Sequence, residues 1–575
     1  MTTILGLNAY HGDAAAALVV DGELVAAAEE ERFTRIKHCA GFPALAATWC
    51  LSAAGLDASD LDHVAIARDP RANMLRKLLW MARHGANLRV LRERLANAAK
   101  VRDVRTALAG ALQFDPAELG SEFHHVEHHQ AHVASAFFVS PFERAAILSA
   151  DGFGDFTSTM LAAGEGASFR ILDRVGFPHS LGLVYTALTQ WLGFTSYGDE
   201  GKVMGLASYG EPRYLQELQK MLFVKDGAFR IECDYFALDV GVHMTWERGT
   251  PVLGSLFGQR LVEVLGPPRE PGSELTSRHR DIAASLQRTL EDAYLHLARV
   301  LSARTGLSDL CVAGGVGLNA MANGRILVET PFQRLFVQPA AGDSGTAIGA
   351  AFWVWNQHLD GSRGYVMNHA YTGPAYSDEE CAAALSAAGL EGERLSDEEL
   401  ITMTAERIAA GDVVGWFQGR MEFGPRALGN RSILADPRRS EMKDVLNARV
   451  KHRESFRPFA PSVLAEATHD WFERDDPSPF MVLVYKIRSD KRELIPAVEH
   501  VDGTGRLQTV EERINPRYYR LIREFAGLTG VPLLLNTSFN ESEPIVMTPE
   551  HAVETFSKTH LDLLVLGNHV VRKMV

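Results

Sequence analysis

The sequence predicts an α/β protein with more than one domain, the first of which binds a nucleotide. At 575 residues the chain is longer than one ordinary hydrophobic core supports. Two successive segments each fit a strand, a glycine-rich turn and a helix start: Leu310–Ala313 with Gly314–Asn319, and Leu335–Gln338 with Gly342–Ala347. Two such units in a row are typical of an α/β nucleotide-binding domain.

The N-terminus is predicted to form antiparallel buried strands. Ile4 to Asn8 and Ala14 to Val20 are apolar runs, and Asp21-Gly22 is a two-residue turn signal before the strand Glu23 to Ala28. The loop between the first two strands contains His11. A lone histidine in such a loop is more often structural than catalytic, so the residue type alone assigns it no role.

Two charged segments follow. Glu29 to His38 is a dense charge run, which is typical of a solvated face. Residues 71–105 contain ten Arg or Lys residues, with leucines at helical spacing. They are predicted to form an amphipathic basic insert that packs on the domain, with docking to an anionic partner or membrane surface as the alternative.

The segment Glu127 to His132 contains a histidine pair suited to metal binding. His128 and His132 are four residues apart and share one face of a helix, and neutral imidazoles so spaced can bind one divalent ion. An isolated pair of this kind is more often structural. Asp151 and Asp343 strengthen the metal interpretation, because each follows an apolar strand in a glycine-flanked loop.

The glycine turns are predicted to bind an anion such as a nucleotide phosphate. Backbone N–H groups are unpaired at the start of a helix and have partial positive charge there. Gly198 to Ala207 is expected to be a further glycine-interrupted loop. Its glycines could be turn residues only, and Lys202 alone does not assign a binding function to it. The predicted nucleotide-binding residues are Gly314, Gly315, Gly317, Asn319, Gly342 and Ser344.

Composition restricts the partners and the compartment. A net charge of -14 and a pI of about 5.9 argue against a broad nucleic-acid surface. The five cysteines are scattered without a Cys-x-x-Cys pair, which fits a reducing compartment. No apolar run approaches the length of a membrane span, and the segment Met1–Gly6 lacks features of an export signal. We therefore expect a cytoplasmic protein that binds neither nucleic acid nor membrane.

The second domain is predicted to bind a small phosphate ligand. We expect a first domain at 1–360, a polar junction at 361–395 and a second domain at 396–575, whose first helix has a capping box at Ser396. Four loops rich in glycine, proline and basic residues follow within about 120 residues. Arginine and lysine in stiff loops suit phosphate oxygens, although any single arginine is more often a surface ion pair.

Taken together, these motifs resemble the NodU/CmcH/TobZ family of O-carbamoyltransferases along nearly the whole chain. The matching segments include Asn8–His11, Glu29–His38, Glu127–His132, Asp151-Gly152, Glu200–Ala207, Gly314–Asn319 and Asp343. The resemblance implies an actin/Hsp70-like (Kae1-like) ATP-binding domain followed by a YrdC-like α/β domain. It implies that His128, His132, Asp151 and Asp343 hold an Fe²⁺-like divalent metal beside a bound adenylate, and that His11 is the base for an acceptor hydroxyl.

The same resemblance implies the reaction. The second domain would convert carbamoyl phosphate and ATP to carbamoyl-adenylate, and the first would transfer the carbamoyl group to a hydroxylated small molecule, with ATP, Mg²⁺ and the divalent metal required. Arg426 and Lys451 would be catalytic in the first step. The residues implied in carbamoyl-phosphate binding are Arg426, Lys451, Arg457, Arg506, Asn536 and Ser538.

Two other functions stay open from the sequence. A threonylcarbamoyl-adenylate type of tRNA-modifying enzyme would use related folds, and the basic insert at 71–105 favours it while the net charge of -14 opposes it. A non-catalytic ATP-binding regulator of the actin/Hsp70 fold would explain the glycine turns alone. The acceptor, the metal and the oligomeric state, for which a homodimer is one option, are not determined by any motif.

Overall fold

The computed structural model describes residues 1–84, 103–238 and 244–573. The chain divides into two units, Met1–Met367 and Asn368–Val575. The predicted junction at 361–395 contains a helix, Asp378–Ala387, that starts with a capping box at Ser377. The second unit therefore begins before residue 396, because Ser377 and Glu380 form a helix start within the polar stretch.

The first unit contains two five-stranded sheets, and each has both parallel and antiparallel neighbouring strands. With the helices between the strands, this is the α/β class that the sequence predicts. The first sheet starts from the N-terminal strand pair, where Asp21 and Gly22 both have positive φ and form the predicted tight turn. Strands follow in the order Glu23–Glu29, Ala15–Val20, Thr3–Asn8, His63–Ile66 and Glu122–His125.

The second sheet supplies the strand that ends at the candidate metal residues. Its order is Arg334–Val337, Asp309–Ala313, Arg144–Gly154, Thr157–Glu165 and Ser168–Gly176. Asp151 belongs to the strand Arg144–Gly154 instead of a loop after it, and the register with the next strand shifts between Ala150 and Gly154. Asp151 therefore lies within an irregular part of its strand.

The helices of the first unit cover both sheets, and two short hairpins complete it. The hairpins are Leu222–Lys225 with Ala228–Ile231 and Met244–Glu247 with Thr250–Leu253. The helices are Glu30–Thr34, Ala44–Ala53, Met74–His84, Val104–Ala111, His128–Phe137, Leu181–Trp191, Glu200–Ala207, Leu215–Met221, Gln259–Leu265, Ser277–Thr305, Ala320–Glu329 and Thr346–Trp353.

Two local predictions for the first unit are wrong. Glu200–Ala207 is a helix where a loop was expected, because its buried face of Val203, Leu206 and Ala207 outweighs the low helix propensity of its glycines. The run from Glu29 is partly buried where a solvated face was expected. Glu30 accepts hydrogen bonds from the N–H groups of the first turn of helix Ala44–Ala53 at 3.1 and 2.8 Å.

The predicted basic insert is described only at its two ends. Met74–His84 and Val104–Ala111 are helices, whereas residues 85–102 lie outside the described residues. Helix Met74–His84 has its leucines Leu75, Leu78 and Leu79 exposed. Across residues 1–84, 103–238 and 244–573, no helix has the length and apolar character needed to cross a lipid bilayer.

The second unit is built on one nine-stranded mixed sheet. Its order is Glu393–Arg394, His569–Arg572, Leu563–Leu566, Val414–Phe417, Arg431–Ala435, Leu533–Ser538, Ala460–Leu464, Thr504–Val510 and Leu483–Lys486. The predicted capping box at Ser396 is confirmed by reciprocal bonds with Glu399. The helices of this unit are Asp378–Ala387, Asp397–Ala410, Met442–Leu446, Thr468–Trp471, Pro516–Thr529 and Pro549–Lys558.

Helix Thr346–Trp353 packs closely on both the first sheet and helix His128–Phe137. A Cβ on Gly349 would lie 1.8 Å from the carbonyl oxygen of Ala131, and one on Gly6 would lie 1.9 Å from that of Ala347. Only glycine allows backbones to approach so closely. These two glycines therefore set the distance between the elements that bring Asp343, His128 and the loop after Asn8 together.

We expect Gly349→Ala to lower the free energy of unfolding of the first unit by about 1–3 kcal/mol, because the added methyl group overpacks this contact. Gly201→Ala is the matched control, since a Cβ there meets nothing within 4 Å and helix propensity favours alanine. Thermal and urea unfolding of both variants measure the effect. Equal stability of the two variants would contradict the close-packing argument.

Candidate active site

Helix His128–Phe137 presents two imidazoles to one point in the first unit. The helix begins after Glu127, whose carboxylate accepts a hydrogen bond from the N–H of Gln130 at 2.9 Å. The Nε2 atoms of His128 and His132 lie 3.1 Å apart, as their spacing of four residues predicts. Both rings are buried.

The two predicted carboxylates complete this cluster. Asp151 Oδ2 lies 3.2 Å from His128 Nε2 and 3.4 Å from His132 Nε2. Asp343 Oδ1 lies 3.5 and 3.6 Å from the same two nitrogens. The ligand atoms of all four residues lie within 4.8 Å of one another. The structure thus brings together the four residues that the sequence singles out for metal binding.

Glycines close to the cluster leave room for its side chains. The N–H of Gly315 donates to Asp151 Oδ1 at 2.8 Å, and a Cβ on Gly315 would lie 2.7 Å from that oxygen. A Cβ on Gly154 would lie 2.0 Å from Cδ2 of His128. Gly315, which the sequence predicts to contact a nucleotide, uses its N–H to orient a carboxylate of the cluster.

Asp343 uses its two oxygens for different partners. Oδ2 contacts Nδ1 of His11, in the loop after the first strand. Oδ1 is buried, faces the two histidines of the cluster and has no hydrogen-bond partner. A buried carboxylate oxygen without a donor is costly unless a cation satisfies it. With two imidazole nitrogens and two carboxylate oxygens, the cluster fits one divalent ion such as Fe, Mn or Zn.

Mutual charge interactions shift the titration of these groups. Burial lowers the pKa of His132, but the carboxylates of Asp151 and Asp343 overcome this and raise it to about 9. Burial raises the pKa of Asp343, while His11 and then His132 bring it down to about 2. In His11 the Asp343 carboxylate likewise outweighs burial, so its pKa is raised. The carboxylates are therefore ionised at neutral pH.

His129, the central histidine of the motif, has a different role. Its ring nitrogens contact Ser149 Oγ at 2.8 Å and the carbonyl oxygen of Thr157 at 3.1 Å. Burial, followed by the charges of His128 and His132, holds the pKa of His129 well below its usual value. It is a neutral core residue that ties the helix to the second sheet.

The predicted nucleotide-binding residues lie in the two turns that flank the cluster. Gly314 has φ of +88° and leads into the turn Gly315–Leu318, and Gly342 precedes the turn Asp343–Gly345, where Ser344 is buried. Asn319 caps helix Ala320–Glu329, because its Oδ1 accepts from the N–H of Ala322 at 3.0 Å. Gly317 fits closely as well, since a Cβ there would lie 3.0 Å from Val312.

The second unit gathers four arginines whose charges repel one another. Burial and then Arg457 lower the pKa of Arg426 to about 10. Burial and then Arg426, Arg453 and Arg457 lower the pKa of Arg506 well below its usual value. The Nε atoms of Arg426 and Arg506 are buried and have no hydrogen-bond partner. Unpaired guanidinium donors held against like charge are suited to a multiply charged anion.

The remaining predicted residues of this unit line the neighbouring loop and strands. Lys451 is buried, and its ammonium donates to the carbonyl oxygens of Ser538 and Asn540 at 2.6 and 2.7 Å. The amide of Asn536 donates to the carbonyl oxygen of Ala427 at 3.2 Å, while its Oδ1 is buried without a partner. Lys451 therefore fixes the loop that contains Ser538, and Asn536 lies beside the segment that follows Arg426.

Sequence reasoning missed several supporting residues. Arg453 joins the arginine cluster, and burial followed by Arg457 lowers its pKa to about 9. Glu422 shapes the loop around Arg426, because its Oε1 accepts from the N–H groups of Leu428, Asn430 and Arg431. Asp155 orients the histidine helix by accepting from the N–H of His128 at 3.0 Å. Burial and backbone contacts identify these residues, and no spacing rule does.

Comparison with known proteins gives consistent matches. The family model for the carbamoyltransferase N-terminus matches residues 3–352, and that for the carbamoyltransferase C-terminus matches 405–573. Nodulation protein NolNO of Sinorhizobium fredii is 41% identical over 98% of this chain and 80% of its own length. Nodulation protein NolO of Bradyrhizobium diazoefficiens is 42% identical over 78% and 79%. An uncharacterized protein of Synechocystis is 44% identical over 100% and 97%.

For the metal cluster, we expect His132→Ala and Asp343→Asn each to remove bound divalent metal, because each deletes one of four ligands. Elemental analysis of the purified full-length protein measures this. His129→Leu is the control: it should keep the metal while lowering stability by about 1–3 kcal/mol, since buried polar partners lose their bonds. Full metal content in Asp343→Asn would contradict the assignment.

Proposed function

Because this chain belongs to the carbamoyltransferase family, we propose that it makes carbamoyl-adenylate from carbamoyl phosphate and ATP and passes the carbamoyl group to a hydroxyl. That the chain is a carbamoyltransferase follows from two family models that together span most of it and from its relatives. The adenylate route and the hydroxylated small-molecule acceptor are the finer parts of the proposal.

The arginine cluster of the second unit supports the activation step. Water first hydrolyses carbamoyl phosphate to carbamate and inorganic phosphate. A carbamate oxygen then attacks the α-phosphorus of Mg²⁺-bound ATP, which forms carbamoyl-adenylate and releases pyrophosphate. Arg426, Arg457 and Arg506 would bind the phosphate oxygens of these highly charged species, and Lys451, Asn536 and Ser538 would complete the site.

The contact between His11 and Asp343 supports the transfer step, and it is the observation on which the proposal chiefly depends. If Nδ1 of His11 donates its hydrogen to the ionised Asp343 carboxylate, Nε2 of the neutral ring would hold the lone pair. The His11 side chain is 20% exposed, so an acceptor can reach it. Nε2 would accept the proton of the acceptor hydroxyl as its oxygen bonds to the carbamoyl carbon and AMP departs.

The four-residue cluster would hold the divalent metal beside this reaction. His128, His132, Asp151 and Asp343 would be the ligands, and a bound metal would supply positive charge that orients the adenylate phosphate or polarises the carbamoyl group. The turns at Gly314–Asn319 and Gly342–Ser344 would contact the nucleotide with backbone N–H groups other than that of Gly315, which donates to Asp151. The net charge of -14 favours a small acceptor over a nucleic acid, and we propose a natural product or glycoside processed in the cytoplasm.

For the activation step, we expect Arg426→Ala to reduce carbamoyl-phosphate-dependent pyrophosphate release from ATP about a hundredfold or more, because a buried donor to phosphate is lost. Arg513→Ala is the control, since that side chain is 66% exposed and pairs with Glu511. Pyrophosphate release is measured without acceptor. Release independent of carbamoyl phosphate would contradict the proposed route.

For the transfer step, His11→Asn should lower carbamoyl transfer from supplied carbamoyl-adenylate about 10²–10⁴-fold, because a general base is removed. Pyrophosphate release by the same variant should stay at the wild-type rate. The measurement is the mass gain of one carbamoyl group across a set of hydroxylated acceptors. Transfer that persists at the wild-type rate would show that His11 is not the base.

A further inference from the structure

A second cluster of imidazoles lies on the first sheet, away from the candidate active site. His63 begins the strand His63–Ile66 and pairs in register with Glu122 of the parallel strand Glu122–His125. His124 lies two residues after Glu122 and therefore projects from the same face of the sheet. His125, the next residue, alternates to the other face and contacts the carbonyl oxygen of Arg68 at 3.1 Å.

The facing atoms of these three side chains are close. His63 Nδ1 lies 3.0 Å from His124 Nε2 and 3.9 Å from Glu122 Oε2. His124 Nε2 lies 4.0 Å from Glu122 Oε1. Contact between two ring nitrogens requires that at least one of them present a lone pair, which is the state in which imidazole binds a metal. Three ligand atoms thus lie within 4.8 Å of one another.

A third histidine reaches the same point from another element. His358 ends the segment Val354–His358, and its Nε2 lies 3.7 Å from Glu122 Oε1. Its ring centroid is 4.5 Å from that of His124. The side chains of Glu122 and His358 are 61% and 41% exposed, whereas His63 and His124 are mostly buried. An ion can therefore enter from solvent and meet two buried nitrogens.

We propose that His63, Glu122, His124 and His358 form a second divalent-metal site that binds Zn²⁺. Three imidazole nitrogens and one carboxylate are a ligand set that zinc accepts in tetrahedral geometry. Zn–N bonds of about 2.0–2.1 Å place neighbouring ligand atoms about 3.3 Å apart. The distances among His63, Glu122 and His124 are 3.0, 3.9 and 4.0 Å, near that edge. His358 lies 3.7 Å from Glu122 but outside the group whose ligand atoms are all within 4.8 Å of one another, so its side chain would rotate to become the fourth ligand.

This site is separate from the catalytic cluster. His63 lies beside Ile4 at the start of the N-terminal strand, whereas His11 follows the end of the same strand at Asn8. The two sites therefore lie at opposite ends of the strand Thr3–Asn8. A zinc ion here would join two neighbouring parallel strands to the segment that follows helix Thr346–Trp353, so its role is to stabilise the first unit.

The test counts zinc on the full-length protein after the metal is stripped, Zn²⁺ is added and unbound metal is removed. We expect His358→Ala and His63→Ala each to bind one zinc fewer per chain than wild type. The matched control is His125→Ala, which lies in the same strand on the other face and should bind as much as wild type. Glu122→Gln, at an exposed position, should weaken zinc affinity more than about tenfold.

The same comparison in a His132→Ala background separates this site from the proposed catalytic metal. The loss of one zinc caused by His358→Ala should persist there, whatever the fate of the first site. Thermal unfolding provides a second measurement, because zinc that binds the folded state raises its stability. The zinc-induced rise should be smaller in His358→Ala than in His125→Ala. Equal zinc content and an equal rise in these two variants would overturn the proposal.

Discussion

The contact between Asp343 and two different groups is the interaction on which the proposed chemistry of the first unit depends. One carboxylate oxygen contacts His11, and the other faces His128 and His132 without a hydrogen-bond donor. A single ionised side chain thereby joins the proposed base to the proposed metal ligands. Without the negative charge of Asp343, His11 would lose the partner of its Nδ1, and a bound metal would lose one of its two negatively charged ligands.

The position of Asp343 follows from packing more than from local sequence. Its turn leads directly into helix Thr346–Trp353, and this helix is held against the first sheet and the histidine helix by contacts that only glycine permits at Gly6 and Gly349. Asp151 reaches the same cluster from an irregular part of its strand, where Gly315 donates to it. The site is therefore preorganised by elements far apart in the chain.

The second unit contains a cluster of arginines that repel one another. Burial, followed by the charges of neighbouring arginines, lowers the pKa of Arg426 and of Arg506. A multiply charged phosphate compound would offset the repulsion among these arginines, which is why we propose such a ligand for this unit. Lys451 and Glu422 add rigidity, because each makes several hydrogen bonds to the loops around the cluster.

Periodic and short-range patterns in the sequence predict a large part of this structure. The strand pair with its Asp21-Gly22 turn, the spacing of His128 and His132 and the capping box at Ser396 depend on local geometry, and all three are present. Burial of Glu30 and the helix at Glu200–Ala207 depend on tertiary packing and were mispredicted. The cluster of His63, Glu122, His124 and His358 joins distant segments, so no motif reveals it.

Asp343 is proposed to serve a metal and a base at once, and anomalous diffraction from crystals grown with Fe²⁺ can show both contacts in one measurement. We expect one anomalous peak bonded by His128, His132, Asp151 and Asp343 Oδ1, with Oδ2 still hydrogen-bonded to His11. A peak elsewhere with this cluster empty would contradict the metal assignment. A metal that draws Oδ2 away from His11 would contradict the double role of Asp343.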